Sequence, residues 1–478
     1  MKSIQMMNPI RVFLLCTFTL LGISLQAQTS TASLSSNDKL LAFPGAEGFG
    51  RFAEGARGYS NPSVFIVNNL NDSGAGSFRE AVSKPGRFVL FNVSGIIHLE
   101  SPITVAPYTT IAGHTAPGTG VVLYGRKVSF SSSNETISRF LRIRLGDLSG
   151  ASRNEDASGI ANGENIILDH MSFSWGLDEV FSINWDNKRI EPNNITLQNC
   201  IIGQGLHAYN HSAGGLMETS GRVSILKSLY ISNKTRNPKV KGQSEFVNNV
   251  VYNFGNANRT KMEHKISADG YILGGGTQLV SHALILNNYF IGGPATPKTK
   301  HSPFSRGNEN FNIYQAGNYY DNNQNGVLDG DLIAGNDTWY PGLQGENFRT
   351  QQDFKNYPSV SPSMDAQGSF EYILQNVGAV LPKRDEVDEL LVRELDSKGI
   401  KGSYIIQEND LPLPNNGLGE FPEVVPSKDS DGDGIPDVWE EKLGLDKNNP
   451  SDALLPSKDD EFKGYLNIEV YLHLLASE

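Results

Sequence analysis

Seven short runs, each alternating apolar with polar residues and closing in a polar turn, follow one another through the middle of the chain. Residues 135–144, 165–174, 194–202 and 222–231 begin roughly 28 residues apart; 246–252, 283–290 and 311–320 continue with looser spacing. β-Branched residues fill the runs, and Gly and Asn punctuate them. A repeat in the twenties with strand character predicts an all-β solenoid, a parallel β-helix, in which each coil leaves an apolar face for its neighbour to cover. Asn residues near the run ends are expected to stack as amide ladders. The competing arrangement is a β-sandwich with regular strand spacing.

A solenoid needs covered ends. Ser77-Phe-Arg-Glu80 fits a capping box ahead of Ala81, so a short helix capping the first coil is expected there. The expected division is a leader at 1–27, a flexible segment at 28–40, the β-helix at 41–420 and a C-terminal calcium-loop segment at 421–478. Within this plan, residues beyond about 330 read as irregular, and the Pro-rich stretches near 411 and 426 as linker-like.

The leader reading rests on Lys2 and Arg11 before an apolar run at 12–21 and a small-residue site before Gln28. Export leaves Cys200 as the sole cysteine, so no intramolecular disulfide is expected. The run is too short for a membrane span. Against 40 Lys plus Arg stand 52 Asp plus Glu, a net charge of −12. Such an acidic chain is a poor nucleic-acid binder, and attraction to an anionic polymer must come from local cations or a metal.

Local cations are present. Arg236-Asn-Pro-Lys-Val-Lys241 puts two around a proline-stiffened turn, and Asp156 and Asp178 lie in earlier units of the repeat. Stacked coils would bring these groups to one face, where two carboxylates able to hold a metal and two fixed cations suit an acidic sugar polymer.

Near the C-terminus, Asp429-Ser-Asp431-Gly-Asp433-Gly434-Ile-Pro-Asp437-Val-Trp-Glu440 carries oxygen ligands at loop positions 1, 3, 5, 9 and 12, with Gly at position 6. So many carboxylates repel one another without a cation. The segment is similar to single calcium loops attached to secreted carbohydrate enzymes and is expected to be a structural Ca2+ clip, with a short helix leaving it.

Ile167-Leu-Asp-His170 with Phe173-Ser-Trp-Gly176, and Thr235-Arg-Asn-Pro-Lys-Val-Lys241, resemble polysaccharide lyase family 1, the pectate lyases, over roughly residues 41–330. The resemblance implies a right-handed parallel β-helix whose cleft cleaves α-1,4-linked galacturonate by calcium-assisted β-elimination. It also implies that Asp156 and Asp178 are metal ligands, that Arg236 is the base and that Lys241 clamps the substrate carboxylate where members usually carry arginine. Asn154 and Ser182 stand where many members have further acids. Ala213 stands in place of a cleft lysine, with His211 nearby as a substrate contact.

Several neighbouring residues invite roles. Arg142 and Arg144 share a strand face, and Arg144 is expected to bind substrate carboxylates unless that face is simply solvated. Trp175 either stacks on a sugar or packs. Asp169 and His170 are expected on opposite strand faces as structure bordering the cleft, and Glu179 opposite Asp178 as a supporting acid. The leading expectation is a secreted, monomeric pectate lyase acting on a polygalacturonate or pectin-type polysaccharide. A β-helix glycoside hydrolase, which would need a carboxylate pair, and a non-catalytic uronate-binding β-helix are the alternatives.

Overall fold

The computed structural model describes residues 39–257, 266–402 and 404–477. The leader at 1–27 and nearly all of the 28–40 segment lie outside the described residues. Among those described, named strands pair in parallel throughout, except Tyr319–Asp321 with Asp331–Leu332. The strands wind as a parallel β-helix with three ladders. One ladder runs through Val128–Ser129, Ser158–Ile160, Phe181–Asn184, the start of Leu216–Leu226 and of Lys239–Val247, then Tyr271–Leu273. A second contains Ile137–Arg139, Glu164–Asp169, Asn193–Gln198, the ends of the two long strands, and Ser281–Leu286. The third contains Arg142–Arg144, Ser172–Ser174, Ile201–Gly203, Leu229–Ile231 and Val250–Tyr252.

Each run read as one alternating unit is therefore two strands separated by a bend. Phe140, His170, Asn199, Lys227, Asn248 and Asn287 occupy the bend in successive coils, with φ between 50° and 59°. Left-handed backbone is uncommon for residues other than Gly, and Asn tolerates it best, which is why Asn collects there. The next residue points inward and builds the expected ladder. Ser228 Oγ accepts from Cys200 N, Asn249 Oδ1 from Ser228 N, Asn288 Oδ1 from Asn249 N and Asn318 Oδ1 from Asn288 N, at 2.8–3.1 Å. The steps span 28, 21, 39 and 30 residues. Coil length varies while the corner is conserved in geometry, because the loops bulge elsewhere.

Inward residues stack into one continuous core that includes Ile143, Phe173, Ile202, Tyr230, Val251 and Phe290. Phe173 is fully buried; truncating it to Ala would cost about 3–5 kcal/mol. Cys200 is buried in this core and its Sγ lies 3.2 Å from Gln198 O, so it is a packing residue, with burial pushing its thiol up. Near the N-terminus, α1 (Phe78–Ala81) starts at Ser77, whose hydroxyl accepts from Glu80 N at 3.2 Å.

Two of the three faces are covered. Phe43, Ala46 and Ala53 pack on Ile137 and Ile167 of the second face, and Phe49 N donates to Ser224 Oγ at 2.8 Å. Over the third face lie α2 (Ala366–Asn376) and α3 (Glu386–Asp396), in a region expected to be irregular. Asp365 caps α2 by accepting from Gly368 N, and Asp385 caps α3 by accepting from Asp388 N. Phe370, Ile373, Leu391 and Leu395 pack on Ile201, Leu229, Tyr252 and Ile291. Leu411 and Leu418 are likewise packed with Val387 and Trp175, so the linker reading fails there; Val425 alone stands 90% exposed.

This covering removes Arg144 from the list of substrate contacts. Buried Ile143 points inward, so alternation turns Arg142 and Arg144 outward, but outward here means beneath α3. Arg144 is fully buried, 2.6 Å from Asp385 Oδ2 and 2.9 Å from Asp388 Oδ1. Arg142 donates to Ala379 O at 2.7 Å. Trp175 also packs: it is buried, its Nε1 donates to Gln204 Oε1, and the Arg144 guanidinium lies over its ring.

The tail returns to the first coils. α4 (Asp437–Leu443) and α5 (Asn467–Leu475) bring Ile435, Trp439, Ile468, Tyr471 and Leu472 against Phe88, Leu90 and Ala112. His114 Nε2 sits 3.0 Å from Leu472 O of α5. No helix among the described residues is long and apolar enough to cross a membrane.

Candidate active site

The site is built at the edge of the first face, where stacked coils place residues far apart in sequence side by side. Glu179, Ala213 and Thr235 are bridged in register across three coils. Arg236 follows Thr235 with φ 57°, a left-handed turn that swings its side chain back over the previous coils. Asp156 belongs to the loop entering Ser158–Ile160, one coil earlier. Lys127, Asp156, Asp178, Glu179, Ser182, His211 and Arg236 all line one open cleft of about 470 Å³.

Within it the charges are matched. Asp156 Oδ2 is 3.0 Å from Lys127 Nζ, and Asp156 Oδ1 accepts from Glu179 N at 3.1 Å. His211 Nε2 lies 2.9 Å from Asp178 Oδ1 and 3.7 Å from Glu179 Oε1. Arg236 donates to Glu179 Oε1. The bond to His211 holds the Asp178 carboxyl below its usual range, while burial raises Asp156 against the pull of Lys127. Burial also lowers the proton affinity of Arg236, and Arg306 adds to this, while Asp178 and Asp156 oppose it.

Asp156, Asp178, His211 and Arg236 thus meet as expected, with one change of grouping. Oxygen or nitrogen atoms of Asp178, Glu179 and His211 lie within 4.8 Å of one another and could share an ion. Asp156 lines the same cleft, but Lys127 holds it. Glu179, expected to face away from Asp178, does not, because it makes only an isolated bridge within a bent segment and no strand continues through Asp178, so strand alternation does not apply. Sequence reasoning missed Lys127, which supplies a cleft lysine from an earlier coil, while Ala213 is fully buried.

Lys241 lies further along the first face. It pairs with Glu218 of the preceding coil at 2.5 Å, and Lys239, two residues before it on the same side, pairs with the same carboxylate at 2.6 Å. Lys241 is not among the residues lining the cleft itself. Asn154 and Ser182 do line it, and Ser182 Oγ accepts from Leu216 N at 3.2 Å.

Asp169 and His170 are structural. His170 sits at the left-handed bend and not on a strand, so the two side chains meet, Nδ1 to Oδ1, at 2.8 Å. Arg139, Gln198 and Asn199 complete the shell of Asp169, and His170 stacks on Phe140.

A second acidic group lies in the tail. Asp429, Asp431 and Asp433 form one set of close carboxylates, and Asp433, Glu440 and Asp452 another. Asp429 accepts from Gly432 N and Gly434 N, as a loop of this pattern requires. Asp437 departs from expectation: its carboxylate accepts from Ser430 N and Oγ at 2.7 and 2.8 Å and pairs with Lys428, so local capping has taken it out of the acidic group.

No family model matches the chain. Curated fungal proteins do. One named probable pectate lyase C, from Aspergillus flavus, is 44% identical over 437 residues, 91% of this chain and 94% of the relative. A namesake from Emericella nidulans is 43% identical over 443 residues, covering 93% and 94%. Among solved structures, a thermostable pectate lyase, PL 47, is 14% identical with a TM-score of 0.47, covering 71% of this chain and 98% of that one. The fungal relatives align along almost their whole length, β-helix and cleft included, and by that measure this chain belongs to the pectate lyase family, as a polysaccharide lyase.

Proposed function

We propose that the cleft cleaves α-1,4-linked galacturonate by β-elimination, with Arg236 as the base. The observation that carries this is a half-buried guanidinium of lowered proton affinity in the same cleft as the Asp178, Glu179 and His211 group. In the reaction Arg236 takes the proton from C5 of the uronate, the electron pair forms the C4–C5 double bond, and the C4–O4 bond breaks. The departing oxygen takes a proton from water, and Arg236 returns its own to solvent. A carboxylate next to C5 makes that proton a feeble acid, so charge must be met where it develops.

Asp178 and Glu179, with His211 and Asp156 adjacent, would hold a calcium ion; the hard carboxylate oxygens suit it. When bound, calcium supplies Lewis-acid stabilisation of the substrate carboxylate. The chain's own residues arrange the rest. Arg236 is paired with Glu179 Oε1, so this contact must open for the guanidinium to face C5. Lys127 keeps Asp156 ordered, and Lys239 and Lys241, sharing one carboxylate, offer a net positive charge to a uronate further along the face.

We extend the proposal to the ends of the molecule. α1 covers the first coil, supported by Phe78 and Ala81 in the core. The 429–440 loop is a calcium clip for the 421–478 segment, supported by its crowded carboxylates and by their fit to the loop spacing. The N-terminal pattern supports export. The test is a product assay on polygalacturonate with and without chelator. Ultraviolet absorbance from an unsaturated uronate end, lost with Arg236→Ala, supports the reading; saturated hydrolysis products would overturn it.

A further inference from the structure

The acidic group in the tail has oxygens that the protein does not satisfy. Asp431 Oδ2, Asp433 Oδ2, both oxygens of Glu440 and Asp452 Oδ1 are buried without a hydrogen-bond partner. Glu440 is fully buried and Asp433 is 4% exposed. A buried carboxylate oxygen with neither donor nor cation costs several kcal/mol, by the general desolvation penalty for charge. Asp433, Glu440 and Asp452 form one close group and Asp433 also joins Asp429 and Asp431, an arrangement that calls for a hard cation between them.

Asp452 is the unexpected member. It is not part of the loop; it lies twelve residues beyond Glu440, in the turn between α4 and α5. Its Oδ2 accepts from Asp446 N at 3.0 Å, which fixes the side chain and leaves Oδ1 aimed at Asp433 and Glu440. The backbone behind it is fixed too. Asp452 O accepts from Asn467 Nδ2 and Ala453 O from Ile468 N, both at 2.9 Å and both at the start of α5. Meanwhile Asp437, at loop position 9, serves Ser430 and Lys428.

We propose that Asp452 is a direct ligand of the calcium held by Asp429, Asp431, Asp433 and Glu440, taking the part that loop spacing alone gives to Asp437. The ion thereby fastens α5 to the loop, and through Ala453, Ile468 and Tyr471 fastens both to Phe88 and Leu90 of the early coils. This inference rests on the calcium-clip reading of the loop. Five carboxylates, one placed to bind through both oxygens, suit the larger and more adaptable calcium over magnesium, which keeps its waters.

The experiment is calcium titration of the full chain after chelator treatment, read as the rise in melting temperature and by calorimetry. Asp452→Asn should raise the calcium midpoint of that rise at least ten-fold, whereas Asp437→Asn should move it less than three-fold. Without calcium, Asp452→Asn should melt no lower than wild type, because it removes one charge from an uncompensated group; a purely packing role would predict a lower melt. If Glu440→Gln abolishes the calcium response and Asp452→Asn leaves it at the wild-type midpoint, the inference falls and the clip stands. If wild type and Glu440→Gln both ignore calcium, the clip falls and takes the inference with it.

Discussion

Two groups of acids in this protein are built on opposite plans. In the cleft, each carboxylate has a nitrogen partner from the protein: Lys127 for Asp156, His211 for Asp178, Arg236 for Glu179. In the tail, Asp433, Glu440 and Asp452 pair with no cation among the described residues, and Asp433 Oδ2, Asp452 Oδ1 and both oxygens of Glu440 are buried without a hydrogen-bond partner. The cleft acids are satisfied by the protein itself, which suits the proposed calcium that enters and leaves with substrate. The tail has no substitute for one. On the proposed reading, the difference separates a metal used in turnover from a metal used as a structural member.

That contrast can be broken most sharply at Arg236. Arg236→Ala should lower kcat by about 10²–10⁴, the range of a general base, with little change in melting temperature; a rate within ten-fold of wild type would remove it from that role. Next in size is chelation. Metal removal should stop turnover and also lower the melting temperature through the tail, by about 2.7 kcal/mol of stability relative to calcium at a hundred times its dissociation constant. If Glu440→Gln melts as wild type does with calcium present, the two plans are not distinct.

Smaller effects sharpen the picture. Lys241→Ala should raise KM and lower kcat, since its charge meets the uronate both before and during reaction. Lys127→Met frees Asp156 and should tighten calcium in the cleft a few-fold, without altering the calcium dependence of melting. His114 checks how the tail is docked. Burial pushes its imidazole down to about 3, so the folded state binds fewer protons there than the unfolded chain does. Its contribution is therefore complete above about pH 6.5 and erodes as pH falls from there towards 3. Arg139, Asp169 and His170 also act on this ring. His114→Gln should flatten that acid slope in a melting-temperature series, and an unchanged slope would assign it elsewhere.

Much of this was legible in the chain. The recurring runs led to the solenoid, and the Asn positions led to the ladder, because both follow from local chemistry repeated at each coil. The bend within each run was not seen, since alternation through 165–174 looks continuous until His170 takes positive φ. Arg144 misled for a related reason. A period of two says which side a residue takes, but not whether a helix more than two hundred residues later covers that side. The helix was itself readable: Asp385 followed by Val387, Leu391 and Leu395 is a capped apolar stripe. Lys127 and Asp452 had no local signal at all; only the winding of the coils and the turn of the tail bring them to their sites.

The sealing of two flanks out of three has a consequence for how the molecule meets a long polysaccharide. A prism with every side bare could lie between two polysaccharide strands and glue them together. With the N-terminal wrap on one side and the α2–α3 pair on another, a single track is left open among the described residues, so the proposed cleft is shaped to take one strand at a time.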